Sequence, residues 1–318
     1  MTAMAPLVVH VGYPKTATTT FQRHVFPQHP DLEYLGKFIP SFGFVNGRMH
    51  ELINNIFQCG ATTFRQTDEL RLMVEGVRKQ TARKSVVISS ESFVHPMAVD
   101  IALVAERLRK SVGSSKVLIT IREQIASILS FYWMHGRFGE YLTIGPKDQH
   151  MRIRYPIPLL DWLALQKTAD ERNYVATLDY ASVVDRYSEV FGHDNVCILL
   201  YEKLATDPGG YAETLGRFLD ADVSILMDLM HGRHEFPSQG RQQPWHAGKS
   251  ADLACVGAQR GPFAAWGRLL GSLGGGSSLA PARKLEASIV ELRERYRAGN
   301  ARLQQRLCLP LAEFGYSV

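Results

Sequence analysis

Apolar residues fall in short continuous runs along the first 220 positions, and segments with helical spacing separate the runs. Such runs are typical of strands that are buried on both faces of a parallel sheet. The clearest three predict strands at Leu7–Val11, Ser85–Glu91 and Lys116–Arg122. Weaker patterns predict further strands at 33–35, 174–178 and 196–201.

Helical spacing fills the segments between these runs. One example is 99–112, where Val99, Leu103, Val104 and Leu108 would share one face. Predicted helices lie at 18–26, 49–59, 66–80, 99–112, 124–135, 158–168, 181–191, 210–219 and 283–307, whereas 138–156 and the segment from 222 to 281 are predicted as loops. Strands that alternate with helices predict a three-layer α/β/α fold around a central parallel sheet. Ligands of such sheets bind at the carboxyl ends of the strands.

Composition and charge limit the function classes. The chain has 318 residues, is 45% hydrophobic and contains no apolar run long enough to cross a bilayer. No membrane span is therefore expected, and because no secretion signal is recognisable at its start, a cytoplasmic location is expected. The four cysteines are scattered, which disfavours a structural zinc site. The net charge of +5 fits either a solvated helix face or an anionic ligand, and nucleic acid is not an expected partner because no binding motif accompanies the charge.

The segment after the first strand predicts an anion site. Gly12 ends the strand, Lys15 follows in a tight turn, and a run of threonines opens a helix. Unpaired N–H groups and the positive end of the helix dipole favour a phosphate or sulfate at such a position. The candidate residues for binding a nucleotide 5′-phosphate are Pro14, Lys15, Thr16, Ala17, Thr18, Thr19 and Thr20.

This segment departs from the ATP- and GTP-binding motif. That motif requires a second glycine before the lysine, and an acidic residue that ends a neighbouring strand to hold Mg²⁺. Here no second glycine precedes Lys15, and the candidate strands end in Ser90-Glu91 and Arg122 instead of aspartate. An arginine there suits an anion, so the ligand is predicted to carry a second anionic group bound by Arg122 and a hydroxyl of the next helix, Ser127 or Ser130.

Together these motifs resemble those of sulfotransferases that depend on 3′-phosphoadenosine 5′-phosphosulfate (PAPS). Tyr13-Pro14-Lys15-Thr16-Ala17-Thr18-Thr19-Thr20 is similar to the family's 5′-phosphosulfate loop, and Arg122 with Ser130 eight residues later resembles its 3′-phosphate site. Segments 201–208 and 296–316 resemble two further family segments. The chain departs from the pattern at Ala17, where glycine is commoner and alanine fits if its φ is negative, and at Glu123-Gln124, where Asp-Pro is common.

The resemblance implies a single sulfotransferase domain over 1–318, with a P-loop-like core at about 5–220, a variable loop or lid at 221–281 and a C-terminal helical segment at 282–318. It implies metal-independent transfer of a sulfuryl group from PAPS, which leaves PAP (adenosine 3′,5′-bisphosphate), to a hydroxyl or amine of a small molecule, glycan or lipid. Lys15 would stabilise the leaving phosphate, and Glu91 is the favoured base, with His95 and His135 as competitors. Arg241 is a further candidate for the 3′-phosphate. Two alternatives are a P-loop small-molecule kinase and a non-catalytic nucleotide-binding module, and the oligomeric state stays open.

Overall fold

The structure is a computed structural model of the chain. It describes residues 4–37, 47–58, 63–94, 100–134, 157–168, 173–232 and 279–318. The chain divides into two compact units, of which the first comprises Met1–Arg122 with Ala176–Phe236 and the second Glu123–Val175 with Pro237–Val318. This division does not test the single functional domain expected from the sequence, which stays a prediction.

The first unit is built on a five-stranded sheet. Its strands are β1 Leu7–Gly12, β2 Leu32–Tyr34, β3 Ser85–Ser89, β4 Lys116–Ile121 and β5 Val196–Leu200. They are parallel and stand in the order β2-β3-β1-β4-β5. The central strand β1 pairs with β3 and β4, so that Val9 lies beside both Ile88 and Val117. The residues that follow these three strands are therefore brought to one edge of the sheet.

In the described residues, helices form much of the chain between and after the strands. They are α1 Thr18–Thr20, α2 Gly47–Gln58, α3 Glu69–Gln80, α4 Ile101–Val112, α5 Gln124–Met134, α6 Leu159–Thr168, α7 Tyr174–Thr177, α8 Tyr180–Phe191, α9 Lys203–Thr206, α10 Pro208–Leu219, α11 Val223–Met230 and α12 Leu279–Leu307. A π-helical turn, Phe21–Val25, continues α1. Short 3₁₀ turns lie at Glu91–Phe93, His193–Asn195 and Ala312–Phe314.

Both faces of the sheet are buried by helices. On one face Val8, Val87 and Leu118 pack with apolar residues of the π-helical turn, α10 and α11 in one cluster. On the other face α3 contacts β3, α8 contacts β4 and β5, and α4 packs against both of these helices. The predicted three-layer α/β/α class is thus confirmed. The continuous apolar runs of β1, β3 and β4 follow from this two-sided burial.

Two predictions of secondary structure are wrong. Residues 174–178 were expected to form a strand, but Tyr174–Thr177 is helical and the Val175 N–H faces the Gln166 side chain at 3.5 Å. A short apolar run does not distinguish a buried strand from a buried helix. The expected loop from 222 begins instead with α11, because the Asp222 carboxylate accepts hydrogen bonds from the N–H groups of Ser224 and Ile225.

Two details of the predicted helices also change. Leu103 is 36% exposed on α4, whereas Val104 and Leu108 are fully buried, so the apolar face is narrower than expected. Glu123 caps the start of α5, since its oxygens accept from the N–H groups of Ile125 and Ala126 at 3.0 and 2.7 Å.

The second unit includes α5, α6 and α12. Phe131 stacks on Tyr174 with ring centroids 3.7 Å apart, beside the fully buried Trp162. Gln124 and Asn300 form two reciprocal amide hydrogen bonds of 2.8 and 3.2 Å, and both side chains are buried. Apart from α11, the predicted lid lies largely outside the described residues.

Candidate functional site

The phosphate-loop candidate connects β1 to α1 and passes close to its own first helix. Gly12 is buried at the end of β1, and a Cβ atom there would overlap the Thr18 methyl group. The Tyr13 hydroxyl donates to the Thr177 carbonyl at 2.7 Å, and its ring packs edge-on against Tyr180. The loop is therefore held against the end of the sheet.

Two residues of this loop have left-handed backbone conformations. Lys15 has φ 71° and Ala17 has φ 63°. The condition under which alanine was expected to fit, a negative φ, is therefore not met at Ala17. Glycine is common at this position in the family that the motif resembles, and the observed φ is one that glycine adopts without steric cost. Ala17 therefore holds a conformation that its Cβ disfavours.

Thr16 lies between these two residues, and its hydroxyl is committed within the protein. The hydroxyl donates to the Tyr13 carbonyl at 2.7 Å and lies 2.9 Å from the Thr120 hydroxyl on β4. Thr16 is fully buried. Its part in donor binding stays a prediction that now concerns its backbone N–H rather than its side chain.

Sequence reasoning missed His10, which lies below the loop on β1. His10 is fully buried, with Nδ1 2.8 Å from the Ser89 hydroxyl and Nε2 3.4 Å from the Thr120 hydroxyl. Burial lowers its pKa to about 3, so the ring is neutral at physiological pH. A single polar residue inside an apolar strand was the signal that could have found it, because a buried imidazole requires hydrogen-bond partners.

Arg122 follows β4 and is fixed at several points. Its guanidinium donates to the Lys15 carbonyl at 3.1 Å and lies 4.7 Å from the centroid of the Tyr201 ring. Its own carbonyl accepts from the Tyr180 hydroxyl at 2.6 Å. These contacts bring a second cation to the loop, as the sequence predicted for the ends of β1 and β4.

Glu91 begins the 3₁₀ turn that follows β3. The preceding Ser90 hydroxyl accepts from the Ser92 N–H, which starts this turn. The Glu91 carboxylate accepts a hydrogen bond from the Thr18 hydroxyl. The favoured base and the phosphate-loop candidate thus lie side by side.

The electrostatic setting of Lys15 reflects this arrangement. Its pKa is lowered to about 8, mainly because burial disfavours the charged ammonium and further because Arg122 repels it. Glu91 acts in the opposite direction and raises the pKa. At neutral pH most of the protein therefore carries a protonated Lys15, which an anionic ligand would stabilise further.

For the remaining predicted site residues the structure gives fewer contacts. Thr18 and Thr20 are buried and Thr19 is half-buried. Ser127 is fully buried and its hydroxyl bonds the Tyr174 hydroxyl at 2.7 Å, which is a packing role. Ser130 lies half-buried on α5 in the second unit, so its pairing with Arg122 stays a prediction. The candidates His95, His135 and Arg241 lie outside the described residues.

Two kinds of feature are absent from the described residues. No helix in that part of the chain is long and apolar enough to cross a membrane. Over the same residues, no group of three or more histidine, cysteine, aspartate or glutamate side chains could hold a metal ion.

Comparison with solved structures finds sulfotransferases. A sulfotransferase from Alicyclobacillus acidocaldarius is 19% identical, with 84% of this chain and 96% of that chain covered and a TM-score of 0.47. Mouse sulfotransferase SULT7A1 complexed with PAP is 12% identical, with 96% and 89% covered and a TM-score of 0.45. The sulfotransferase domain from the curacin biosynthetic pathway is 11% identical, with 76% and 82% covered and a TM-score of 0.39.

No protein-family model and no curated protein matches the sequence. Because the three TM-scores lie below 0.5, the case for function rests on the residues of the site.

Proposed function

We propose that this protein is a PAPS-dependent sulfotransferase that transfers a sulfuryl group to a hydroxyl or amine of a small molecule, glycan or lipid. The observation that carries the proposal is the pair of cations at the strand ends, where Arg122 donates to the carbonyl of Lys15. PAPS carries two separate anionic groups, a 5′-phosphosulfate and a 3′-phosphate. The Lys15 loop would hold the first group, and Arg122 with Ser130 the second.

The loop also argues against the kinase alternative. In P-loop nucleotide-hydrolysing enzymes the hydroxyl that follows the lysine ligates Mg²⁺. Here that residue is Thr16, whose fully buried hydroxyl donates to the Tyr13 carbonyl. Of the two strands that flank β1, β3 is followed by Ser90 and Glu91 and β4 by Arg122, and neither is followed by the aspartate of the ATP- and GTP-binding motif. These residues favour an anionic ligand bound directly by protein cations.

The chemistry requires positioning and charge stabilisation more than covalent catalysis. A bond forms between the acceptor oxygen or nitrogen and sulfur while the bond from sulfur to the bridging phosphate oxygen breaks. Glu91 would accept the acceptor's proton, and its contact with Thr18 orients the carboxylate toward the loop. The Lys15 ammonium would neutralise the charge that develops on the phosphate oxygen.

The decisive test is calorimetric titration with PAP and with ADP, which lacks the 3′-phosphate. Arg122→Ala should weaken PAP binding about 10- to 100-fold, the value of a charge-assisted phosphate contact, and leave ADP binding nearly unchanged. Arg186→Ala is the matched control, since Arg186 is exposed and pairs with Glu189 on the surface of α8. ADP binding that equals PAP binding and strengthens with Mg²⁺ would refute the proposal in favour of a kinase.

Catalysis is tested by PAP release from PAPS with 2-naphthol, glucose or glucosamine as acceptor. Glu91→Gln should slow release at least about 100-fold, the usual contribution of a general base, while PAP affinity stays within about twofold. An unchanged rate would exclude Glu91 as the base. If the wild-type protein binds PAP but releases none from PAPS with any of these acceptors, the result would support the non-catalytic binding module.

A further inference from the structure

A chain of buried polar side chains runs beneath the phosphate-loop candidate. Its members are His10, Thr16, Gln22, Ser89 and Thr120, each at most 1% exposed. Gln22 donates to the Ser89 hydroxyl at 3.1 Å, and the His10 ring joins Ser89 on β3 to Thr120 on β4. Thr120 in turn lies 2.9 Å from the Thr16 hydroxyl. The chain therefore connects three strands to the middle of the loop.

The direction of each hydrogen bond follows from counting hydrogens. Thr16 has one hydroxyl hydrogen and spends it on the Tyr13 carbonyl, which can only accept. The hydrogen between Thr16 and Thr120 must then come from Thr120. Having spent its hydrogen, Thr120 can only accept from His10, so Nε2 carries the hydrogen and Nδ1 accepts from Ser89.

The opposite tautomer leaves a defect. With the hydrogen on Nδ1, Nε2 would need the Thr120 hydrogen. No hydrogen would then lie between the hydroxyl oxygens of Thr120 and Thr16, which are 2.9 Å apart and buried. A buried pair of facing lone pairs is costly. The neutral Nε2–H form of His10 supplies a hydrogen to both contacts that join His10, Thr120 and Thr16.

The loop needs such support because it is conformationally strained. Thr16 stands between Lys15 and Ala17, both left-handed. Residues in sparsely populated backbone regions persist only when their surroundings hold them there. The Thr120 hydroxyl is the contact through which β4 holds Thr16, and His10 sets the orientation of that hydroxyl.

We propose that His10 is a positioning residue for the donor: as its neutral Nε2–H tautomer it orients Thr120, which locks Thr16 and with it the anion-binding conformation of the loop. The same ring holds Ser89, two residues before Glu91, so it also ties the strand that carries the base to the loop. This inference rests on the proposed function, because it assigns the network to binding of PAPS.

The test combines one spectroscopic measurement with two variants. Long-range ¹H–¹⁵N correlation of the wild-type protein reports which ring nitrogen carries the hydrogen, and His10→Gln identifies the His10 signals. Thr120→Val removes the hydroxyl at nearly constant volume and should weaken PAP binding about three- to tenfold, the value of one buried hydrogen bond. Thr120→Ser keeps the hydroxyl and should stay within about twofold of wild type.

The outcomes separate this inference from the proposed function. A hydrogen on Nδ1, or PAP affinity of Thr120→Val equal to wild type, overturns the positioning role even if the variant melts at a lower temperature. A wild-type protein that fails to bind PAP overturns the function and the positioning role together. The Nε2–H tautomer, with weakened binding in Thr120→Val and normal binding in Thr120→Ser, supports the inference.

Discussion

The left-handed Ala17 yields the most quantitative prediction. Its φ of 63° costs an L-residue about 1–2 kcal/mol, and Ala17→Gly removes that cost. Two terms oppose the gain. Glycine adds about 0.4–1 kcal/mol of backbone entropy to the unfolded chain, and the lost methyl packs partly against the core cluster, worth about half of a fully buried group, or roughly 0.4 kcal/mol. The free energy of unfolding should therefore change by about −0.4 to +1.2 kcal/mol, so that glycine is roughly equal to alanine or better at this position.

A matched substitution isolates the backbone effect. Gly76 lies within the right-handed helix α3 of the same unit, with open space where a Cβ would stand. Gly76→Ala should raise the free energy of unfolding by about 1 kcal/mol, since alanine is preferred in helices. Alanine is thus favoured at 76 and glycine is equal or better at 17.

Urea unfolding followed by circular dichroism and tryptophan fluorescence measures both variants. Coincident transitions from the two probes indicate two-state unfolding, so that the free energies of the variants and the wild type can be compared. If Ala17→Gly lowers the free energy of unfolding by about 1 kcal/mol, as the same substitution does within a helix, then the left-handed conformation at 17 is refuted. A rise would also mean that this chain tolerates a loop less stable than its glycine-containing variant.

Two further predictions concern charge and buried amides. PAP affinity should fall above pH 8 by at most about tenfold per pH unit, because Lys15 has a pKa of about 8 and loses its charge there. The Lys15→Arg variant stays charged, so calorimetry from pH 7.5 to 9.5 should find no such fall in its PAP affinity. An equal fall in both proteins would contradict the assignment to Lys15. Asn300→Ala should lower the free energy of unfolding in urea by about 2–4 kcal/mol, because Gln124 and the Ser317 carbonyl lose a buried partner. The double variant Gln124→Leu with Asn300→Leu should cost less than the sum of the two single leucine variants. Strict additivity would count against the hydrogen-bonded pair.

The sheet was predictable because its strands are buried on both faces. Two-sided burial selects apolar side chains at every position of a strand, and β1, β3 and β4 lie where the continuous apolar runs are. Residues 174–177 also form an apolar run, but they are buried as a single helical turn. Burial alone produced both patterns, so the sequence could not separate them.

Parts of the site were predictable and parts were not. Lys15 and Arg122 were found because charged residues directly after buried strands converge at one sheet edge. The left-handed φ of Ala17 could not be derived, since the alanine itself argues against it. The partners of His10 lie 79 and 110 residues away along the chain, and only the strand order identifies them.

The position of β1 in the sheet has a consequence for biosynthesis. Residues 7–12 leave the ribosome before both of their neighbouring strands, which are residues 86–89 and 116–120. At about 5–20 residues per second, the nascent chain carries an unpaired β1 for roughly 5–20 seconds. During this interval an apolar strand edge stays open to incorrect pairing, and chaperone capture would be most useful then. The proposed anion binding should therefore arise only after β4 has been translated, although the loop itself is translated well before β4.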